Sequence, residues 1–307
     1  MEHLLRRYGI TLTWVCIGLT FFWLAILVLL PNFTMLESSF RPYLAKVDEG
    51  GPLDFYSMGN YLKVLGNDVD FTVFGFVFQV PVRLKVFFLT IVYSSVVTVI
   101  TFAMAYPLAY YLAKIVSPKS LPTLFLLLFV PLWVSEILRS FAWWIILAFK
   151  GPLNAVLMSL GLINEEVRWI AGFSPVVIGL VYTYVLFMVF PLYNSMQSLD
   201  TNQIEAAEDL GSPWWRTHWR VILPHTKPGI ASGAVMVFML SAGSLLVPSL
   251  LGSTTSGWFT QTIQEIMLGS QDWNAGAAFA FMLLLACTLF VSLMMRVFGV
   301  KLSDIAK

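Results

Sequence analysis

Six long apolar runs constrain the fold of this chain more than any other feature of its sequence. A transmembrane helix takes about 20 consecutive apolar residues, and runs of at least that length recur along the whole chain. The predicted spans are residues 10–31, 86–113, 121–148, 175–198, 228–251 and 276–298. The runs do not alternate with polar residues, which indicates helices rather than barrel strands. The sequence predicts an all-α membrane protein with six transmembrane helices, in which residues 1–307 form a single domain.

Composition and charge exclude several other classes of protein. Charged residues make up 11% of the chain, whereas soluble domains carry about 25%. The net charge of +1 and the absence of a basic cluster outside the loops give no indication of nucleic-acid binding. Cys16 and Cys287 fall inside predicted spans and are interpreted as small apolar packing residues, without a disulfide. The first apolar run is too long for a cleaved signal peptide and is predicted to be a retained helix.

The chain also lacks the motifs of an enzyme. It contains no GxxxxGK[ST] loop for the phosphates of ATP, and neither HExxH nor CxxC for a metal or redox centre. His218 and His225 have no other metal ligands near them in sequence and are interpreted as surface or interfacial residues. The sequence therefore predicts no catalytic residue, no metal and no cofactor in this chain.

Positive charges in the loops indicate the orientation in the membrane. With a cytoplasmic N-terminus, the cytoplasmic Lys and Arg residues are Arg6, Arg7, Lys114, Lys119, Arg216, Arg220, Lys227, Arg296, Lys301 and Lys307. Those on the other side lie mostly in the long loop 32–85, where the rule is weak, and loop 252–275 has none. Six spans then place both termini and loop 199–227 in the cytoplasm, and loop 32–85 outside it.

Within loop 199–227, the stretch "EAAEDLGSPWWRTHWRVILP" (205–224) is unusually polar for this chain. Asp200 or Thr201 is a suitable N-cap for a short helix, and Gly211 is suited to end it in the left-handed conformation. Ser212 as N-cap with Pro213 at the first helical position predicts a second helix directly afterwards. The loop is therefore predicted to be a helix, a glycine turn and a second helix, which Pro224 limits in length.

The first of these helices carries a compact acidic surface. Glu205, Glu208 and Asp209 share one region with the methyl groups of Ala206 and Ala207. A small, rigid, acidic surface of this kind fits a groove on another protein. Trp214, Trp215 and Trp219 in the second helix are typical of a membrane–water interface. The residues alone leave a second interpretation open, an interfacial amphipathic helix without a partner.

The spacing of this loop resembles the cytoplasmic EAA loop of ABC-importer permeases. The matching residues are Glu205, Ala206, Ala207, Gly211, Val221, Leu223 and Pro224. Only Val221 departs, from the usual isoleucine. In that family the loop is the coupling helix, which docks into a cleft of the ATP-hydrolysing subunit. The resemblance implies that coupling in this chain depends on a set of five residues: Glu205, Ala206, Ala207, Asp209 and Gly211.

Further segments are similar to the first permease of the spermidine/putrescine branch. They are "YPLAYYLAK" (106–114), "VPLWVSEILRSFAW" (130–143), "GPLN" (151–154), "LLVPSLLGS" (245–253) and "DWNAGAA" (272–278). Two positions differ from that branch: Ser244 stands where an acidic residue is common, and Asn274 where proline is usual. The resemblance implies a type I ABC importer permease fold and a polyamine or related amine as solute. An opine, a phosphonate or another organic ion stays open.

The resemblance also implies partners. Two copies of an ATP-binding subunit would hold ATP and Mg, and a second permease, a paralogue by family precedent, would complete the path through the lipid bilayer. An extracytoplasmic binding protein would deliver solute to loops that include 32–85 and 252–275. The location implied is the bacterial inner membrane. The alternative class is an ion-gradient-driven secondary transporter, which predicts inverted repeats and midplane ion ligands; the sequence has no convincing internal repeat.

Two charged residues fall near the middle of the third predicted span. A charge buried there costs at least about 2.5–3.5 kcal/mol on insertion scales. Glu136 and Arg139 are three residues apart, so they share a helix face where they can neutralise each other. The second interpretation is a polar patch on the substrate path, in which Glu136 receives a cationic group. Trp133 and Trp143 would then offer aromatic faces to the cation.

The fifth predicted span contains a weak point. Gly243 and Pro248 both weaken the helix, and Ser241 and Ser244 are suited to satisfy the freed backbone groups. A helix break at membrane depth is tolerated where it lines a cavity, so this segment is assigned to the substrate path. The small residues of "GIASG" (229–233) predict close packing against a neighbouring helix.

Overall fold

The computed structural model describes residues 10–44, 51, 54–66, 68–73, 76–170, 172–252 and 257–299. Residues 1–9 and 300–307, whose charges contribute to the predicted orientation, lie outside the described residues. So do residues 253–256 of the predicted outer loop 252–275, and Lys46 of loop 32–85.

Most of the described chain is helical. The elements of the N-terminal half are α1 (Ile10–Leu24, Ala25–Leu29 and Leu30–Phe40), α2 (Gly59–Leu62, then Lys63–Leu65), β1 (Asp68–Val73), β2 (Phe76–Pro81), α3 (Val82–Tyr110, then Tyr111–Ile115), α4 (Leu121–Trp133), α5 (Glu136–Leu147) and α6 (Pro152–Ser159). Those of the C-terminal half are α7 (Ser174–Gln197), α8 (Thr201–Asp209), α9 (Trp214–Thr217, His218–Ile222 and Leu223–His225), α10 (Lys227–Ala242), α11 (Leu246–Leu251), α12 (Phe259–Gln264, then Glu265–Gly269) and α13 (Trp273–Phe298).

The described residues fall into two compact units. The first comprises those within Met1–Val82 and Ile263–Met282, and the second those within Arg83–Thr262 and Leu283–Lys307. The single membrane domain expected from the sequence stays a prediction.

In the first unit, α1 is the dominant helix, and almost all of its surface is exposed. Among its described side chains only Ser39 is buried. The buried Asn60 amide donates to the carbonyls of Ser39 at 3.0 Å and Arg41 at 2.7 Å, which fixes the end of α1 against α2. Because a long apolar surface of this kind is unfavourable in water, α1 is suited to contact lipid or another subunit.

Two side chains at the start of α13 hold the segment that follows α1. Lys63 and Asp272 form an ion pair at 2.6 Å. The Asn274 amide donates to the carbonyl of Pro42 at 2.9 Å. Asn274 is a position where the resembling branch tends to have proline, and in this chain its amide makes a contact that proline has no group to make.

A short hairpin also belongs to the first unit, and the sequence analysis did not predict it. β1 and β2 pair antiparallel, with Asp68 opposite Pro81 and Val73 opposite Phe76. The alternation of "DVDFTV" (68–73) is the signal that would have indicated a strand there.

The core of the second unit is built around α7. Its buried side chains include Leu180, Met188 and Leu192, each with no exposed surface. α10 packs closely on α7 because glycines face it: a Cβ at Gly229 would lie 2.5 Å from the Pro191 carbonyl oxygen, and one at Gly233 would lie 2.5 Å from the Met188 sulfur. The predicted packing role of "GIASG" is confirmed.

The helices differ from two of the predicted spans. Five helical stretches of the described residues are long and apolar enough to cross a membrane: Trp14–Phe40, Val82–Ile115, Glu136–Ser159, Ser174–Gln197 and Trp273–Phe298. The third predicted span, 121–148, is not one helix, because the backbone is extended at Val134 and α5 begins at Glu136. Pro131 lies one turn before this break and removes an intrahelical hydrogen bond.

The fifth predicted span is interrupted where the sequence indicated a weak point. α10 ends at Ala242, Gly243 forms the C-cap, and α11 begins at Leu246. Two side chains, one just before α12 and one within it, donate hydrogen bonds to carbonyls at the break. The Trp258 indole donates to the Ser241 carbonyl at 3.2 Å, and the Thr260 hydroxyl donates to the Ser244 carbonyl at 2.6 Å. The break is therefore a stable, hydrogen-bonded feature of the fold.

Candidate functional site

The acidic helix α8 has a defined cap at each end. The Asp200 carboxylate accepts a hydrogen bond from the Asn202 amide at 3.0 Å, so Asp200 rather than Thr201 is the N-cap. Gly211 has φ +75°. Its amide donates to the Glu208 carbonyl at 2.8 Å, and the Ser212 amide donates to the Ala207 carbonyl at 3.0 Å. This pair of bonds is a Schellman motif, and the predicted left-handed end at Gly211 is confirmed.

The buried side chain of α8 is Ile204, which attaches this helix to the rest of the second unit. Ile204 is buried with Leu199 and Ile222, and Tyr110 packs on this cluster. The Lys114 ammonium donates to the carbonyl of Leu199, which ties the end of α3 to the start of the loop. The loop therefore packs on a small hydrophobic core of its own, and the C-terminal end of α3 holds the start of the loop in place.

The remaining residues of α8 face away from that core. Glu205, Ala206, Glu208 and Asp209 are exposed, and Ala207 is half-buried. Leu210, the next residue, has 88% of its surface exposed. The capped helix therefore presents three carboxylates to its surroundings, with the exposed Leu210 beside them.

The second helix of the loop begins one residue later than predicted. The Pro213 carbonyl accepts from the amides of Arg216 and Thr217, so Pro213 is the N-cap and α9 starts at Trp214. The predicted cap, Ser212, instead accepts a side-chain hydrogen bond from the Thr217 hydroxyl at 3.3 Å. The order of helix, glycine turn and helix is as predicted.

The two histidines of the loop have different surroundings. His225 is exposed and its Nε2 atom lies 3.1 Å from the Ser198 hydroxyl. His218 is half-buried, with Nδ1 2.9 Å from the Tyr106 hydroxyl and its ring edge-on to Tyr110. Burial lowers the pKa of His218. Its interpretation as a surface or interfacial residue missed this contact, because Tyr106 is distant in sequence.

A cavity of about 260 Å³ lies in the second unit where α5, α7 and the α10–α11 break meet. It brings together two predicted substrate-path residues, Glu136 and Ser244. The Tyr184 hydroxyl also lines it and donates to the Glu136 carboxylate at 3.3 Å. Sequence reasoning missed Tyr184, since nothing in an apolar run indicates which tyrosine faces a carboxylate on another helix.

The pairing of Glu136 with Arg139, one of the two interpretations of these charges, is not formed. No ion pair within 4.0 Å joins the two side chains, and the buried Nε of Arg139 has no hydrogen-bond partner among the described residues. Both residues lie in α5, which begins at Glu136, but the Glu136 carboxylate accepts a hydrogen bond from Tyr184 on α7 instead. The partial positive charge of a helix N-terminus also favours a carboxylate there.

The other predicted path residues do not line this cavity. Trp133 is 76% exposed, at the end of α4. Trp143 packs edge-on against Tyr182 with ring centroids 5.6 Å apart. Ser241 is fully buried, and its hydroxyl donates within α10 to the Phe238 carbonyl at 3.1 Å. Ser244 does not satisfy a backbone group as expected, and Trp258 and Thr260 donate to the carbonyls at the break instead.

A larger groove of about 650 Å³ runs along α7 and α10. Phe187, Phe190 and Met236 form apolar parts of its wall, and Asn194 and Ser232 contribute polar groups. The sequence analysis did not predict it, because it depends on how closely the glycines of α10 bring the two helices together.

Long apolar helices, a hydrogen-bonded break at a cavity and an exposed capped loop fit a multi-pass permease of the kind found in ABC importers. The chain belongs to the family of binding-protein-dependent transport system inner membrane components, whose family model matches residues 91–303. It is therefore a multi-pass inner membrane protein. The family predicted from the EAA-type spacing is confirmed.

Among curated proteins, the similar ones include polyamine permeases. The spermidine/putrescine transport system permease protein PotB of Salmonella typhimurium (strain SL1344) is 32% identical over 287 residues, which are 92% of this chain and 94% of that protein. PotB of Escherichia coli (strain K12) is 33% identical over 276 residues, 90% and 92% of the two chains. The inner membrane ABC transporter permease protein YdcU of the same organism is 25% identical over 229 residues, 70% and 72% of the chains.

Among solved structures, the fold is similar to a bacterial ABC transporter involved in the import of the acidic polysaccharide alginate. The match has a TM-score of 0.70 at 15% identity and covers 97% of each chain. A bacterial alginate ABC transporter in complex with an alginate pentasaccharide-bound periplasmic protein matches with a TM-score of 0.70 at 14% identity, over 98% and 99% of the chains. These matches confirm the ABC importer permease fold, which is helical among the described residues apart from the β1–β2 hairpin.

Proposed function

We propose that α8 is the coupling helix of this permease and that its exposed face binds a separate ATP-hydrolysing subunit. The observation that supports this most is the presentation of the EAA-type residues: Glu205, Ala206 and Asp209 are exposed on a helix capped at Asp200 and Gly211. Ile204, the buried residue of this helix, anchors it in a small core. Force applied to α8 would reach α3 and α9 through that core.

In this proposal the complete importer contains two ATPase subunits, which hold ATP and Mg, and a second permease that is a paralogue of this chain. An extracytoplasmic binding protein delivers the solute. The solved alginate transporter in complex with its periplasmic protein supports a binding-protein partner. Both termini lie in the cytoplasm, on the same side as α8.

The solute proposed is a polyamine or a related amine. PotB, the spermidine/putrescine permease, supports this assignment by its 32% identity over most of both chains. The side-chain chemistry agrees, because the carboxylate of Glu136 lines a cavity at the α10–α11 break and a carboxylate favours a cation. An opine or another organic cation would meet the same carboxylate.

The energy source is tested by transport in proteoliposomes that contain both permeases and the ATPase, with loaded binding protein outside. Uptake of labelled spermidine should require enclosed ATP and persist when ionophores collapse every ion gradient. Uptake that continues without ATP and stops with ionophores would instead establish a secondary transporter.

The role of α8 is tested by a charge reversal. Glu205→Lys should insert and fold normally, yet lose ATPase binding and uptake. Gln203→Lys is the matched control, since Gln203 is exposed on the same helix but two residues away, where side chains do not share a face. Wild-type uptake by Glu205→Lys, or equal loss in both variants, would reject the assignment.

The orientation is tested by cysteine labelling after replacement of Cys16 and Cys287. A cysteine at Asn164, in the exposed connection after α6, should react with a membrane-impermeant maleimide from outside intact cells. A cysteine at the exposed Thr201 should react only after the membrane is opened. The reverse pattern would contradict the cytoplasmic position of α8.

A further inference from the structure

We propose that Glu136, Tyr184 and Ser244 together form a recognition site for one primary ammonium group. This inference rests on the proposed amine transport and adds the residues that would set its specificity. The three side chains come from α5, α7 and the α10–α11 break, and all line the cavity of about 260 Å³.

The first argument is the number and type of polar groups in the cavity wall. Glu136 presents a carboxylate, and Tyr184 and Ser244 each present a hydroxyl oxygen. A primary ammonium has three N–H donors and no acceptor, so the carboxylate and the two hydroxyls offer one accepting group for each donor. A quaternary ammonium carries the same charge without any N–H donor, so it makes no hydrogen bond to either hydroxyl oxygen.

The second argument is the hydroxyl of Ser244. Ser244 and Tyr184 are each only 6% exposed. The Ser244 hydroxyl interacts with the Tyr184 hydroxyl, but its buried Oγ atom does not reach hydrogen-bond geometry with any group in the part of the chain that the structure describes. The Ser244 carbonyl accepts a hydrogen bond from the Thr260 hydroxyl, so of the two oxygens of Ser244 it is the hydroxyl that lacks a hydrogen bond among the described residues. A buried hydroxyl without a partner is unfavourable, and a donor entering the cavity removes that penalty.

The third argument is the size and sign of the cavity. Its volume lies below the range of about 300–1,000 Å³ that holds drug-sized ligands, so it fits one end of a linear molecule. Met239, Leu240, Leu245 and Leu246 line the rest of it, which suits a methylene chain. Arg139 is not among the lining residues. Glu136 is among the lining residues, so the cavity presents a carboxylate rather than a guanidinium to the solute.

Tyr184 also positions the carboxylate. Its hydroxyl is 3.3 Å from Glu136 Oε1, and a tyrosine hydroxyl both donates and accepts. It can therefore orient Glu136 and at the same time accept an N–H from the ammonium group.

The experiment measures competition in the reconstituted transporter. Uptake of labelled putrescine is inhibited by an unlabelled primary diamine or by its fully N-methylated, bis-quaternary analogue of equal chain length. The ratio of the two inhibition constants is the readout, for wild type, Tyr184→Phe, Ser244→Ala and the control Tyr182→Phe. Tyr182 is on the same helix but packs against Trp143 and does not line the cavity. Because every variant is assayed with the same binding protein, a change in the ratio of inhibition constants must come from the permease.

Loss of one hydrogen bond to a charged group should reduce the wild-type preference for the primary amine by about 10-fold or more. We expect this for Tyr184→Phe and Ser244→Ala, with unchanged ATP dependence, and no change for Tyr182→Phe. If Tyr184→Phe and Ser244→Ala both took up putrescine at the wild-type rate and kept the wild-type ratio of inhibition constants, this inference alone would be overturned. ATP-driven uptake of a different solute, with no transport of any amine by wild type, would overturn the polyamine assignment and this inference together.

Discussion

The amide of Gly211 donates a hydrogen bond to the carbonyl of Glu208 at 2.8 Å, with Gly211 at φ +75°. This bond ends the exposed helix α8 and turns the chain toward α9. A Cβ at Gly211 would meet no atom within 4 Å, so only the backbone conformation demands glycine there. The precision of the α8 surface therefore depends on a residue that makes no side-chain contact.

Gly211→Ala should impair coupling through this backbone strain. A left-handed residue other than glycine or asparagine costs about 1–2 kcal/mol, enough to shift a local equilibrium by roughly 5–30-fold. We expect normal membrane insertion but less ATPase subunit recovered by co-purification. Gly211→Asn is the matched control, because asparagine tolerates this conformation. Equal recovery with Gly211→Ala and wild type would show that the turn is not required.

Gly229→Ala should lower thermal stability. The added Cβ would lie 2.5 Å from the Pro191 carbonyl oxygen and 2.6 Å from the Ser195 Cβ, and overpacking typically costs about 1–3 kcal/mol. Gly18→Ala is the control, because a Cβ there meets nothing within 4 Å. The measurement is the temperature of half-loss of monodisperse protein in detergent. A Gly229→Ala variant as stable as Gly18→Ala would mean that α10 has room to move away from α7.

The pair Glu136→Gln and Arg139→Met, made together, separates structure from transport. The structure joins Glu136 to Tyr184 rather than to Arg139, so we expect the double variant to assemble but to lose amine uptake. ATP hydrolysis stimulated by loaded binding protein should continue without transport. Arg139→Met alone should keep uptake. Normal uptake by the double variant would reject a role for Glu136 in the substrate path.

Acidification should destabilise the contact between α9 and α3 through His218. Burial lowers the pKa of His218 in the folded protein, below its ordinary value of about 6.5. As the pH falls through about 6.5, His218 therefore takes up a proton in the unfolded chain before it does so in the folded protein. The contribution of neutral His218 to the free energy of unfolding is fully present above that pH and is lost below it. The drop in melting temperature between about pH 7.5 and about pH 5.5 should be smaller for His218→Gln than for wild type. The variant His225→Gln, at an exposed position, should show the same drop in melting temperature as wild type. If His225→Gln made that drop as small as His218→Gln does, the role assigned to His218 would be contradicted.

Local signals in the sequence predicted much of this molecule, and contacts between distant residues account for most of what was missed. The apolar runs, the caps at Asp200 and Gly211 and the weak point at Gly243 depend on neighbouring residues, so the sequence indicates them. The break before Glu136 was missed because Pro131 was read as part of a continuous apolar run. The Tyr184–Glu136 and Asn274–Pro42 contacts join segments 48 and 232 residues apart, and no local pattern encodes such pairs.

The central claim, that α8 binds the ATPase, is tested most directly by photocrosslinking in native membranes. A photoreactive residue replaces Leu210, which is 88% exposed at the end of α8. A control replaces Lys119, exposed in the connection between α3 and α4. We predict a crosslink to the ATPase subunit from position 210 that is much stronger than that from position 119. A transporter that takes up solute with ATP yet gives no ATPase crosslink from position 210 would contradict the account.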